Sequence, residues 1–251
     1  MKRRGFTLIE LLVVIAIISL LIAIILPALS GARQSGQSIK CMANLHNVGL
    51  ALEAYFNVSD GIFPLSQAHG GYVPGTAWLD TLEPHTESKL QYRCPSDQTP
   101  NLEHVDPNLR RVTSYGINIY TGPLQHDWFP ENPLGLAPFG WRQQTRLFRN
   151  PSQVVFAAEI AEKDAGGTPI FPDHFHPEGW LVNPNEGDPY ADPQFSLQIW
   201  RHNRKANYLY ADGHAAHLDF KQTFFIGADG AKVVNQYDPG FPHPKDGWHT
   251  P

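Results

Sequence analysis

The sequence predicts an α+β chain in which one long N-terminal helix, transmembrane in its first half and amphipathic in its second, packs on an antiparallel β-sheet body with long loops. Three observations carry this prediction. An apolar run from Phe6 to Leu29 contains one charge, Glu10. Beyond it, apolar residues recur at helical spacing as far as Tyr55. After residue 57 the Gly and Pro residues concentrate between short β-type runs, which marks turns in place of long helices.

The first run holds about 24 residues and makes a helix of roughly 36 Å, enough to cross a bilayer. Residues 1–5 form a basic leader and residues 6–29 the transmembrane helix. Lys2, Arg3 and Arg4 precede the run while only Arg33 and Lys40 follow it, so the N-terminus is expected to stay cytoplasmic and the body to lie outside. The alternative is a cleaved secretory signal with small residues at Ser30 and Ala32. The run is longer than the apolar core of such signals, and Glu10 stands at its leading edge, where they are uncharged. An ionised carboxylate in hydrocarbon needs a partner, and the run itself offers none.

Residues 30–56 continue the helix amphipathically. Ile39, Met42, Leu45, Val48, Leu52 and Tyr55 fall three or four apart as one buried stripe, with Gln37, Lys40, Asn44, Asn47 and Glu53 on other faces. Pro27, Gly31, Gly36 and Gly49 weaken the helix locally. Asp60-Gly61 and then Phe63-Pro64 close it. Residues 57–251 form a β-rich extracytoplasmic domain. Strands are expected at 114–120, 153–160 and 195–200, with long ordered loops at 121–150 and 161–194. A hairpin at 206–220 joins Asn207–Ala211 to His214–Phe220 through Asp212-Gly213, a dipeptide suited to the positive φ angles of a tight turn.

Composition limits the functions available. The chain has 251 residues, 42% hydrophobic and 17% charged, with a formal net charge of -5, and the basic residues after Arg4 are scattered. No stripe is present that tracks phosphates, so nucleic acid is excluded as a partner. There is no GxSxG motif and neither cysteine has a catalytic-looking neighbourhood, so no enzymatic activity is expected. No cofactor is expected either, a divalent metal being the alternative.

KRRG followed by FTLIE resembles the processing site of type IV prepilins and of the pseudopilins of type II secretion. The match combines a short basic leader, Gly5, Phe6, Glu10 after three more residues, and a spanning helix. The resemblance implies a pilin-like fold, cleavage after Gly5 by a prepilin peptidase, methylation of the new N-terminus at Phe6, and assembly roles for Glu10, Phe6 and Pro27. It further implies that Glu10 of one subunit meets the Phe6 amine of its neighbour, which makes Glu10 a register device in a filament. The implied partners are an inner-membrane platform protein, an assembly ATPase, membrane lipid and other copies of the chain. The implied location is the inner membrane, single-pass, with a cytoplasmic N-terminus and a periplasmic body that becomes part of a filament on assembly. AYFNVSDGIFP loosely resembles the segment that follows the long helix in major pseudopilins. His202, nine intervening residues and Asp212-Gly213 resemble the His-x9-Asp-Gly signature of a group of prepilin-like proteins, and CMANLHNVGLAL and YRCPSD are similar to further motifs of that group.

Several residues remain chemically open. His202, Asp212 and His214, with His217, are candidate ligands for a transition metal. The alternative has His202 bonding a turn backbone, Asp212 and Gly213 shaping the turn, and His214 facing solvent or a neighbour. His174 and His176 alternate as on one strand face, or lie in a loop. Asp229, Asp238 and Asp246 are turn residues or calcium ligands. On the expected topology Cys41 and Cys94 reach an oxidising compartment, so they are a candidate disulfide, two buried thiols being the alternative. Closing that loop contributes about 4 kcal/mol in the chain-entropy model. Two other functions stay in view. One is a membrane-anchored binding module using Trp128, Trp141, Trp180, Trp200 and Trp248. The other is a metal-dependent enzyme built on the histidines.

Overall fold

The computed structural model describes residues 7–64, 78–86, 89–99, 111, 113–118, 121, 150–163, 167, 173–175, 177, 180, 193–226 and 233–237. Helix α1 (Leu8–Phe56) is continuous over 49 residues, about 73 Å at 1.5 Å per residue. Pro27 lies inside it without ending it. Proline removes one backbone bond, and the runs on both sides are long enough to keep the ladder going. The end is set by Asp60 and Gly61, both at positive φ, with the Gly61 N–H donating to the Phe56 carbonyl at 3.0 Å. The chain thereby reverses, and Phe63 packs edge-on against Phe56.

Every residue from 7 to 36 is exposed. The buried stripe of α1 starts at Cys41 and runs through Asn44, Leu45, Val48, Gly49, Ala51, Leu52 and Phe56. Two expectations are corrected. Ile39 is 63% exposed and so lies off the stripe, whereas Asn44 faces inward. The Asn44 amide donates to the Arg93 carbonyl at 3.1 Å and to the Tyr115 hydroxyl at 3.2 Å, so its polarity is satisfied inside the core.

The body contains β1 (Tyr115–Asn118), β2 (Val155–Glu159), β3 (His174–Phe175), β4 (Ala206–Tyr210) and β5 (Ala215–Leu218), in one sheet of order β3-β1-β2-β4-β5. The sheet is mixed and not wholly antiparallel. β3 pairs with β1 in parallel, Ile117 opposite His174. β2 runs antiparallel to β1, so a strand that returns from β2 on the far side of β1 runs with β1. β6 (Phe224–Ile226) and β7 (Val233–Asn235) make a separate antiparallel pair. The strand expected at 195–200 is instead a helical turn, α3 (Pro193–Ser196), followed by a single bridge from Leu197 to Ile160. Pro193 brings the fixed φ of a first helical turn, and the Leu197 N–H closes that turn on its carbonyl at 2.7 Å. The hairpin's second strand stops at Leu218 because Asp219 caps α4 (Phe220–Thr223). Of the expected loops, residues 122–149 and 181–192 lie outside the described residues.

The sheet has a core on each face. A bulge in β2 between Val155 and Ala157 puts Phe156 and Ala157 together on the α1 side and leaves Val155 and Ala158 on the other. On the α1 side, Phe156 stacks on Phe63 and meets Trp78 of α2 (Trp78–Leu82) edge-on. On the far side Trp180 packs among Phe175, Phe220, Phe224 and Tyr237. Trp180 is therefore a core residue, while Trp200 is 59% exposed.

α1 runs alongside β4 in the same direction: Ser38 meets Asn207 and Gly49 meets the hairpin end. A Cβ built on Gly49 would overlap the carbonyl oxygen of Gly213 and stand 2.9 Å from Leu209 Cδ1. Gly49→Ala is therefore expected to destabilise the chain by about 1–3 kcal/mol through overpacking, although alanine is the better helix former by up to about 1 kcal/mol. Gly36→Ala, which meets nothing within 4 Å, should shift stability the opposite way. Denaturant midpoints of the two variants in detergent check this sign reversal.

Candidate functional site

The N-terminal end and the body junction of α1 carry the residues singled out by the sequence. At the N-terminal end Thr7 is the N-cap and Glu10 the third helical residue, and they form a reciprocal capping box. The Glu10 carboxylate accepts from the Thr7 N–H and hydroxyl, both at 2.8 Å, and Thr7 Oγ1 accepts from the Glu10 N–H at 3.3 Å. This corrects the view that the run offers Glu10 no partner. A carboxylate three residues after a threonine cap reaches back to the unpaired N–H groups of the helix start. Gly5 and Phe6 lie outside the described residues, as do His176, Trp128, Trp141, Trp248, Asp229, Asp238 and Asp246.

At the junction, Cys41 and Cys94 are disulfide-bonded, with Cα atoms 4.9 Å apart. Against this bridge lies a buried carboxylate, Glu159, at the end of β2. Its Oε1 is 2.8 Å from His202 Nε2, and its Oε2 accepts from the Asn207 N–H at 3.2 Å. Asn207 also donates from Nδ2 to the Ser38 carbonyl of α1 at 3.3 Å, and its Oδ1 is 2.9 Å from His217 Nδ1. Burial and the nearby His202 and Lys205 hold the His217 imidazole below the ordinary histidine value, which favours the neutral ring that donates to Asn207. The Tyr115 hydroxyl faces the same region, where burial and Glu159 raise its pKa.

This geometry divides the His-x9-Asp-Gly signature into two ends. His202 does not bond a turn backbone through its ring; it pairs with Glu159 inside the core. Asp212 and His214 sit half-exposed at the hairpin end and pair with each other. β4 separates the two ends by about 16 Å at roughly 3.3 Å per residue, so His202, Asp212 and His214 do not converge on one ion. The turn is also wider than expected. Tyr210 and His214 close a three-residue loop, with the Tyr210 N–H bonded to the His214 carbonyl and the Gly213 N–H to the Tyr210 carbonyl, both at 2.9 Å. In this loop Gly213 alone has positive φ, and it lies against Gly49 and Glu53 of α1. The signature thus fixes two points of the helix–body contact, one at each end of β4.

Two further groups escaped the sequence reading. Glu159 hides in an apolar strand run, where only its polarity among buried neighbours marks it. Asp97 of YRCPSD lies 3.3 Å from Arg111 Nη2 and 3.7 Å from Arg201 Nη2, and Arg201 reaches Glu162 at 3.2 Å. Burial alone would raise the Asp97 carboxyl, but Arg111 and Arg201, with hydrogen bonds from Ser114 and the Thr99 N–H, together hold it below the usual carboxylate value. Burial lowers Arg111 to about 10, which leaves it cationic at neutral pH. His174 is buried against Asp173.

Residues 1–26 match the family model of the prokaryotic N-terminal methylation motif. No curated protein and no solved structure matches the chain. The chain thus carries a prepilin-type N-terminal methylation motif, the feature acted on by a prepilin peptidase, at the head of a helix long and apolar enough to cross a membrane. That motif supports a type IV pilin- or pseudopilin-type precursor.

Proposed function

We propose that this chain is a structural subunit and not an enzyme: cut after Gly5, methylated on Phe6, and polymerised through α1 into a type II secretion or type IV pilus-like filament. One observation carries the reading. The methylation motif heads a helix whose residues 7–36 are all exposed and pack against no other described element of their own chain. So large a continuous apolar surface fits lipid first and the helices of other subunits afterwards. The proposed topology keeps the leader in the cytoplasm and the body in the periplasm, with a platform protein and an assembly ATPase driving extraction of the helix from the inner membrane. The role is mechanical and calls on no resident cofactor for chemistry.

In this reading Glu10 has two partners in succession. In the membrane it is held by Thr7; in the filament the cationic amine of a neighbouring Phe6 replaces that contact and fixes the stagger. Mass spectrometry of the membrane-derived chain should find N-methylated Phe6 as its first residue. Glu10→Gln keeps a side chain suited to the capping box but removes the charge. It is expected to insert normally and yield few or no filaments by electron microscopy. Wild-type filament numbers from that variant, or an intact Met1 on the membrane-derived chain, would overturn the proposal.

A further inference from the structure

Four donor groups from separate segments meet at one buried point. Cys41 lies on α1, Cys94 in the segment 89–99, Glu159 at the end of β2 and His202 ahead of β4, with ligand atoms all within 4.8 Å of one another. The disulfide occupies the two sulfurs and leaves the other two groups beside them. His202 Nε2 stands 2.8 Å from Glu159 Oε1 and also 3.6 Å from Cys94 Sγ. One ring nitrogen facing both a carboxylate and a sulfur is the arrangement of donors around a common centre. Behind Glu159, Asn207 donates its N–H to Oε2 at 3.2 Å and its Nδ2 to Oε1 at 3.4 Å, the kind of outer support that orients a metal-binding carboxylate.

We propose that the dithiol form of this cluster is a structural site for zinc or a similar borderline-soft divalent ion, so that α1 is fastened to the body by a disulfide in one state and by a metal in the other. Two thiolates, an imidazole and a carboxylate make a closed four-ligand set, and thiolates select zinc over calcium or magnesium. Around a tetrahedral zinc with bonds of about 2.0–2.3 Å, donors stand about 3.3–3.8 Å apart. The present spread therefore needs adjustment on the order of an ångström once the sulfurs are released.

The exchange balances. A dithiol reductant cleaves the S–S bond, becomes a disulfide itself, and delivers two electrons and two protons to Cys41 and Cys94. Zinc then displaces those two protons as it binds both thiolates. The donor groups other than the imidazole carry the same net charge in either state: the carboxylate beside a disulfide, or the carboxylate and two thiolates around a dication. No uncompensated charge is created in the core. This inference stands apart from the filament reading and survives its failure.

The test uses the full chain in detergent, as isolated and after anaerobic reduction with a water-soluble phosphine, which is oxidised with oxygen taken from water and adds no competing thiol. Each form is loaded with zinc or cobalt, desalted and analysed for metal. One zinc per reduced chain and none per oxidised chain is expected, and cobalt should show tetrahedral visible bands with thiolate charge transfer. His202→Gln should weaken the reduced chain's zinc affinity by more than about tenfold, the scale of loss seen even for outer-shell partners. If reduction alone unfolds the body, zinc should restore its native tryptophan emission. Reduced wild-type chain that retains no more metal than oxidised chain, or that zinc fails to refold, overturns the proposal.

Discussion

Asp97→Ala is expected to destabilise the body by about 3–5 kcal/mol, the usual effect of removing one partner from a buried ion pair. The carboxylate stands between Arg111 and Arg201, whose side chains are 0% and 2% exposed. Arg111 keeps acceptors in its absence, since its guanidinium donates to the carbonyls of Thr113, Ile160 and Ala161. What is lost is the charge that lets two cations share one buried site. Asp97→Asn should cost less, because an amide oxygen still accepts from the Thr99 N–H as Asp97 Oδ1 now does at 2.9 Å. Urea midpoints of the two variants in detergent measure the difference. A loss below about 1 kcal/mol for Asp97→Ala, the level of an exposed pair, would contradict the burial argument.

The same carboxylate sets an acid limit. Its folded pKa lies below the ordinary value, so at mildly acidic pH the unfolded chain binds the proton more readily than the folded one. Its stabilising contribution is complete above the ordinary carboxyl range and disappears as pH falls through the folded pKa. Asp97→Ala should lose this share of the acid transition while keeping the rest.

The helix was legible in the sequence because period and length are local properties. The run from Phe6, the spacing of Leu45, Val48 and Leu52, and the stop at Asp60-Gly61 need no distant partner to be read. The hairpin was legible for the same reason, except that a three-residue loop and a two-residue turn both place Gly at positive φ, so Asp212-Gly213 alone does not separate them. Non-local features were out of reach. Asn44 looks like an outer-face residue until Arg93 and Tyr115 arrive to bond it. β3 has two residues and a parallel neighbour, too little sequence to show any period. Proximity in sequence groups His202 with Asp212 and His214, whereas the intervening strand β4 keeps them apart and gives His202 a partner 43 positions earlier, Glu159.

Losing the Cys41–Cys94 bridge should have the second large effect. The bridge closes a separation of 53 residues, and a loop of that size corresponds to about 4 kcal/mol of lost chain entropy in the unfolded state. Two routes to its removal give complementary information. Cys41→Ala with Cys94→Ala deletes the sulfurs and opens a small cavity, while reduction in the presence of a chelator keeps both sulfurs and isolates the crosslink. Serine is the poorer replacement, since it would bury an extra hydroxyl. Both routes should lower the denaturant midpoint, and both should steepen the slope, because an uncrosslinked unfolded chain exposes more surface. A fall in midpoint without a steeper slope would assign the effect to native packing instead. The consequence for a filament is mechanical. Force applied along α1 reaches the body through the backbone beyond Phe56 and through side contacts that, among the described residues, begin at Gln37, and the bridge is the covalent one of those side contacts. A chain without the bridge, reduced in the presence of a chelator, should therefore let α1 peel from the body at lower force than the oxidised chain, which optical-tweezer pulling on α1 and the body can read directly.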